Sequence, residues 1–376
     1  MGMATLTDAS GILVADFFCG CGGTSAGLQA AGMEIRLGLD FEPEASATYQ
    51  RNFPDATFLE SDVREVDVTE IEDGIGERNG PLLLSACAPC QPFSSLVANK
   101  AGSGHARRDG RRSLLLRLLP IVERLEPDYV LIENVPGLKA ASPASTFNRF
   151  SKALRGYGYH VASGVVDCRV YGVPQRRRRL LILASRRGPL SLPEPTHGLG
   201  AGTKPFSTVH EWISDLPPIE AGETHPTVDN HQASALSELN LRRIRATPEG
   251  GNRNDWPREL ELECHRTHSG HSDVYGRLRW DGTAPVLTTK CTSLSNGRFG
   301  HPEQDRPISV REAACLQTFP RDFVFTGGIT SATRQIGNAV PVLLAEAAGR
   351  AIIDHQARAS ESGEDPATAR QIEASS

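Results

Sequence analysis

From residue 11 to about 186, short apolar runs alternate with stretches whose apolar positions return every three or four residues. The runs ILVADFF (12–18), IRLGLD (35–40), ATFLES (56–61), LLLSA (82–86), YVLIENV (129–135), HVASGVV (160–166) and RLLILAS (179–185) predict seven strands. Helical patterns fall at 24–31, 43–52, 114–126 and 146–155. Gly32 and Gly156 stand where helix ends favour a residue free to take positive φ. This alternation predicts a doubly wound α/β sheet, a fold that binds ligands at the carboxyl ends of its strands.

After Arg187 the pattern changes. Residues 188–290 are rich in Gly, Pro, Thr, His and Asn and carry few long periodic runs. They predict a second, smaller domain of short strands and loops. SVREAACLQTF (309–319) and VPVLLAEAAGRAIIDHQ (340–356) read as helices, the latter with Pro341 near its first turn. The polar tail 359–376 lacks the apolar residues to order itself.

Composition adds limits. At 376 residues, 39% hydrophobic and 23% charged, the chain is an ordinary globular one, neither disordered nor membrane-like. No apolar run comes near the roughly 18–20 residues that span a bilayer. The start MGMATLTDAS has no secretory pattern. The eight cysteines are therefore read as reduced thiols of a cytoplasmic protein. The net charge of −5 hides two basic stretches, 100–117 and 169–187. Such local patches suit phosphate contact, although solvated loop charge is the plainer reading of each alone.

Candidate chemistry gathers at the strand ends. VADFFCGCGGTSAGL (14–28) is a strand, a glycine-rich turn and a helix. Gly20, Gly22 and Gly23 let backbone approach a ligand closely. No Lys-Ser/Thr follows, so this is no phosphate loop, and Ser25 stands where the dinucleotide fingerprint has its third glycine. Taken alone, the turn fits a nucleotide-like ligand or a plain tight turn. Asp40 at the end of the second strand suits ribose hydroxyls, Phe41 suits an adenine face, and Asp62 past the third suits an exocyclic amine. Adenosine contacts with little for a diphosphate point to S-adenosyl-L-methionine. Cys87 and Cys90 in SACAPCQPFS follow the fourth strand, a C-x-x-C open to metal, redox or nucleophile readings. Glu133 ends a very apolar strand, where an acid needs a partner and burial favours keeping a proton for donation. In PQRRRRL, alternation puts Arg177 and Arg179 on one face and Arg176 and Arg178 on the other.

The ordered set DFFCGCGG, PCQPFS, ENV, QRRRR, RPISVREAACLQTFP and QIGNAVP resembles the DNA cytosine-5 methyltransferase family, from residue 12 to about 350. The resemblance implies a Rossmann-like methyltransferase sheet with a small, mostly β/loop target-recognition domain. The expected layout is a catalytic domain at 1–187, the small domain at 188–325 and a segment at 326–358 returning to the first. It implies that cytosine is flipped from the duplex, that Cys90 attacks its carbon 6, that Glu133 serves ring nitrogen 3, and that Arg179 contacts the carbonyl oxygen with Arg177 assisting. The cofactor residues carried over are Asp16, Phe18, Gly20, Gly22, Gly23, Asp40, Phe41, Asp62, Val63, Pro89, Leu114, Asn338 and Val340. Asp40 stands where the family more often has Glu. Cys87-Ala88-Pro89 stands where GFP or GPP is usual, which makes Cys87 a small, inert strand-end residue. The basic segment 96–113 resembles the loop that closes over DNA. In the variable region, CHRTHSGHSDVYGRLRW (264–280) is expected at the major groove, and its Cys and His spacing matches no standard zinc site, so no metal is expected. The expected partner is double-stranded DNA, with a cognate restriction endonuclease as a functional companion and the chain acting as a monomer. A tRNA methyltransferase of the related branch would carry Cys-Phe-Thr in the variable region, absent from 188–290. A non-catalytic DNA-binding protein would not need Cys90, Glu133 and the arginines together.

Overall fold

The computed structural model describes residues 10–89, 114–139, 145–263 and 273–361. Cys90, the basic loop 96–113, the histidine cluster at 265–271 and most of the tail lie outside them. The chain forms two compact units. One comprises Met1–Asp167, Arg178–Glu194 and Val342–Ser376; the other comprises Cys168–Arg177 and Pro195–Pro341.

In the first unit the order is β1 (Leu13–Phe17), α1 (Gly23–Ala30), β2 (Glu34–Asp40), α2 (Pro43–Asn52), β3 (Thr57–Glu60), α3 (Val68–Ile75), β4 (Leu82–Ala86), α4 (Leu114–Leu125), β5 (Tyr129–Asn134), α5 (Thr146–Gly156), β6 (His160–Asp167) and β7 (Arg178–Ser185). All seven expected strands form one sheet, ordered β3-β2-β1-β4-β5-β7-β6. β1 runs parallel to β2 and β4, and β4 to β5, whereas β7 is antiparallel to both β5 and β6. Every residue of β1, β4 and β5 is buried, as continuous apolar runs covered on both faces should be. Leu13, Leu82, Leu84, Val130 and Ile182 pack with Leu118, Ile121 and Phe150 from α4 and α5 into the core. This places the ends of β1, β2, β4 and β5 side by side.

Local chemistry sets the helix ends. Ser145 caps α5 by accepting from Asn148 N–H, and Asp67 caps α3 by accepting from Thr69 N–H. The sequence pattern misses α3, because Ile71 and Ile75 are its only buried residues and two positions make no periodicity. Gly32 takes φ 99° as expected. Gly156 instead closes α5 within the helix, and the positive φ falls at Gly158.

The C-terminal helix, Val342–Glu361, returns to this unit and packs on α1. The Tyr129 hydroxyl of β5 hydrogen-bonds Gln356 Oε1 at 2.8 Å and lies 3.1 Å from His355 Nδ1. By composition Ile329–Glu361 is apolar enough to cross a bilayer, contrary to the expectation from sequence. It is not one helix: Ala339 is extended and Pro341 supplies no N–H, so the stretch breaks there. The buried face of the C-terminal helix, including Leu344, Ala345, Ala348 and Ile352, is core.

The second unit carries α6 (Val209–Ile213), α7 (Glu238–Arg245), α8 (Val310–Leu316) and α9 (Ile329–Asn338), with short 3-10 turns between. The short strands expected here occur among the described residues only as single bridges, such as Gln175 with Ala284 and Arg277 with Gly300. Without ladders, loop carbonyls need other donors, and buried arginines supply them. Arg277 donates to the carbonyls of Thr247 (2.7 Å), Ile244 (2.9 Å) and His301 (2.9 Å). Arg311 does the same for Asp229 and Phe323, both at 2.8 Å. Arg306 is fully buried and grips both Glu312 oxygens at 2.7 Å, while Glu312 and Ser309 form the capping box that starts α8.

Candidate active site

The glycine turn is built from β1 outward. Phe18 (φ 52°), Gly20 (φ 53°) and Gly22 (φ 94°) all take left-handed backbone, which folds the chain sharply between β1 and α1. A Cβ on Gly22 would lie 2.3 Å from the Phe53 ring, so only glycine fits. A Cβ on Gly20 would meet nothing within 4 Å: that face of the turn is open.

Asp40 ties this turn to the end of β2. Its Oδ2 accepts from Gly20 N–H at 2.8 Å, and its Oδ1 accepts from Phe41 N–H at 2.8 Å and Glu42 N–H at 3.0 Å. Burial nevertheless raises its pKa above the usual carboxylate value. Oδ1 is thus filled by two donors, and Oδ2 keeps a further lone pair for a hydroxyl. The Phe41 ring beside it is 57% exposed, an open apolar face.

Asp16 is fully buried in β1. Its Oδ2 accepts from Ser25 Oγ at 2.7 Å, and Ser25 in turn lies 2.9 Å from the Tyr49 hydroxyl. Its Oδ1 has no aligned partner among the described residues, although Ser85 Oγ is close. Burial pushes this carboxyl up to about 6. Cys19 and Cys21 are buried thiols; burial raises Cys19 well above the ordinary thiol value and Cys21 to about 12, so both are unreactive.

The remaining carried-over residues divide between the units. Asp62 holds Arg64, whose N–H and Nε both donate to Oδ1 at 2.9 Å, and this bonding lowers the Asp62 pKa. Val63 and Leu114 are buried in the first unit's core. Pro89, half-buried, follows β4. Asn338, exposed at the end of α9, and Val340, buried, belong to the second unit.

Glu133 ends β5 and is 5% exposed. Its partner is Arg179 near the start of β7, with Nε 2.6 Å from Oε1. The contact is a close charge pair rather than an aligned hydrogen bond, since Oε1 has no hydrogen-bond partner among the described residues. Oε2 accepts from the Cys87 thiol at 3.0 Å, so Cys87 is not the bystander its strand-end position suggested. Asn134 Nδ2 donates to Ala88 O at 3.0 Å, and Cys87 N–H donates to Phe17 O at 3.2 Å, which fixes the chain just ahead of Pro89. Tyr49 was not picked out from sequence; Ser25 was noted only in place of a third glycine, Cys87 only as half of C-x-x-C and Asn134 only within ENV, none with these contacts.

Arg177 departs from expectation. Alternation correctly buries it while Arg176 and Arg178 are exposed. Its guanidinium, however, donates within the second unit to the carbonyls of Leu287 (3.2 Å), Gly337 (3.3 Å) and Ala339 (3.1 Å). It clamps loops there.

A strand-end glycine turn, a strand-end acid that holds it and a buried Glu-Arg pair thus lie at the ends of neighbouring strands. The model of the C-5 cytosine-specific DNA methylase family matches residues 12–354. The chain belongs to that family. As a C-5 cytosine-specific DNA methylase it transfers a methyl group from S-adenosyl-L-methionine. It is 39% identical over 345 residues to the Type II methylase M.HgiDII of Herpetosiphon aurantiacus, covering 90% of this chain and 94% of that one. It is 33% identical to the Type II methyltransferase M1.HphI of Haemophilus parahaemolyticus, covering 90% and 86%. A solved prophage-encoded E. coli protein assigned as a DNA modification methyltransferase shares the methylase fold with TM-score 0.71 at 21% identity, covering 92% and 99%.

Proposed function

We propose that this methylase modifies cytosine within a specific duplex sequence through a covalent Cys90 adduct, with Glu133 and Arg179 facing the flipped base. The observation that carries the reading is the buried Glu133–Arg179 pair beside the end of β4. The Cys90 thiolate adds to ring carbon 6, and the carbon 5–carbon 6 π pair moves toward carbon 5 and the ring. Glu133 hydrogen-bonds or protonates ring nitrogen 3, where that charge collects. When bound, S-adenosyl-L-methionine would supply an electrophilic methyl group to carbon 5, its sulfonium–methyl bond breaking to leave the neutral thioether. A base then takes the carbon 5 proton, the carbon 5–carbon 6 double bond reforms, Cys90 leaves as thiolate, and any proton given to ring nitrogen 3 returns to Glu133.

The cofactor site is read at the open face of Gly20, with Asp40 for the ribose and the Phe41 ring for adenine. The unpaired Asp16 Oδ1 supplies a buried acceptor nearby, and Asp62, Val63, Pro89 and Leu114 complete the wall. Arg177 is read as a clamp. The second unit is read as the target-recognition part. It holds a cleft of about 510 Å³ lined by Arg176, Asp273, Leu278, Arg279, Val286 and Arg298, a mixture suited to base edges and phosphates. The Type II relatives support a role protecting DNA from a cognate endonuclease; the chain is read as a cytoplasmic monomer.

The test is duplex DNA carrying 5-fluorocytosine, incubated with labelled cofactor. A covalent complex should form with the wild-type chain and be lost in Cys90→Ser. A complex that survives that substitution would mean another nucleophile.

A further inference from the structure

Cys87 occupies a position where the family's motif usually has glycine, which has no side chain. Here the side chain exists and reaches Glu133, placing Sγ 3.0 Å from Oε2. The main chain around it is fixed from both sides, by Phe17 O and by the Asn134 amide on Ala88 O. The thiol's place is therefore set by β1, β4 and β5 rather than by chance rotation. Glu133 is held from two directions, the thiol on Oε2 and the Arg179 guanidinium against Oε1. Oε1 alone lacks an aligned donor among the described residues.

We propose that Cys87 is a positioning residue for methyl transfer, fixing the rotation of the Glu133 carboxyl so that Oε1 is the oxygen presented to ring nitrogen 3. The inference rests on the reading of Glu133 as the group that serves the cytosine. A thiol is a weak donor, but by holding Oε2 it leaves Oε1, which lies against Arg179, as the oxygen that carries the proton offered to ring nitrogen 3. Glycine at this position would leave the carboxyl one contact poorer, so the chain has gained an orienting contact that the usual motif lacks.

The experiment measures single-turnover methylation of genomic DNA lacking 5-methylcytosine, with KM for the cofactor and thermal melting alongside. Cys87→Ala should slow methyl transfer about five- to tenfold, the size expected for one hydrogen bond, with cofactor KM unchanged. Cys87→Ser, which restores a donor, should recover to within about threefold of wild type. In a Glu133→Gln background Cys87→Ala should have no further effect, because both act through one carboxyl. Wild-type speed in Cys87→Ala, failure of serine to recover it, or equal slowing in the Glu133→Gln background would each overturn the proposal. The underlying reading is checked separately: an inert wild-type chain, or a fully active Glu133→Gln, would sink the role given to Glu133 itself.

Discussion

Arg179→Ala removes the cation beside a carboxylate that is almost wholly out of water. The side chains of Arg179 and Glu133 are 13% and 6% exposed. Breaking such a pair from one side typically destabilises by about 3–5 kcal/mol, because the remaining charge is stranded. The assay is thermal melting of wild type, Arg179→Ala and Arg179→Ala/Glu133→Gln at about pH 7. Arg179→Ala should melt several degrees lower, and the double variant, which leaves no stranded charge, should regain most of the loss while staying inactive. No deficit in Arg179→Ala, or no recovery in the double variant, would show that the pair is not what holds Glu133 in place.

Four other outcomes follow from named contacts. Burial raises Asp16 to about 6, so the folded state binds a proton more readily than the unfolded chain. Stability from this group is present below about 3.8 and lost as pH rises through about 6, by roughly 3 kcal/mol; denaturation of wild type against Asp16→Asn at pH 4 and pH 8 should show that loss in wild type alone. Gly22→Ala should destabilise by at least about 2 kcal/mol, since its φ is 94° and Phe53 blocks its Cβ. Gly20→Ala, at φ 53° but with no described atom within 4 Å of its Cβ, should cost only the left-handed backbone strain of about 1–2 kcal/mol, less than Gly22→Ala, and should weaken cofactor binding measured by calorimetry. Arg306→Ala strands the fully buried Glu312 and should cost about 3–5 kcal/mol in chemical denaturation.

What sequence could and could not reveal follows from where each contact's two ends lie. β1, β4 and β5 were legible because both of their faces are buried, and a continuous apolar run records that without a partner. The reversal of β7 was not, because nothing within RLLILAS distinguishes an antiparallel neighbour from a parallel one. The second unit was least legible. Its order rests on arginines meeting carbonyls far along the chain, as Arg277 meets Thr247 thirty residues away and Arg177 meets Leu287 at a separation of 110. Such bonds leave no period in the sequence. The same limit explains the two arginines of QRRRR. Alternation buries Arg177 and sets Arg179 on the same face, but a face is not a partner, and only one of them meets Glu133. Cys87 shows the converse. As half of a C-x-x-C it had no assigned work once Cys90 was given the chemistry. Placed on the sheet, it lies at the end of β4, and β5 runs beside β4 with Glu133 at its own end. Adjacent strand ends brought together a thiol and an acid 46 residues apart, so the residue that looked spare became the second hand on the acid.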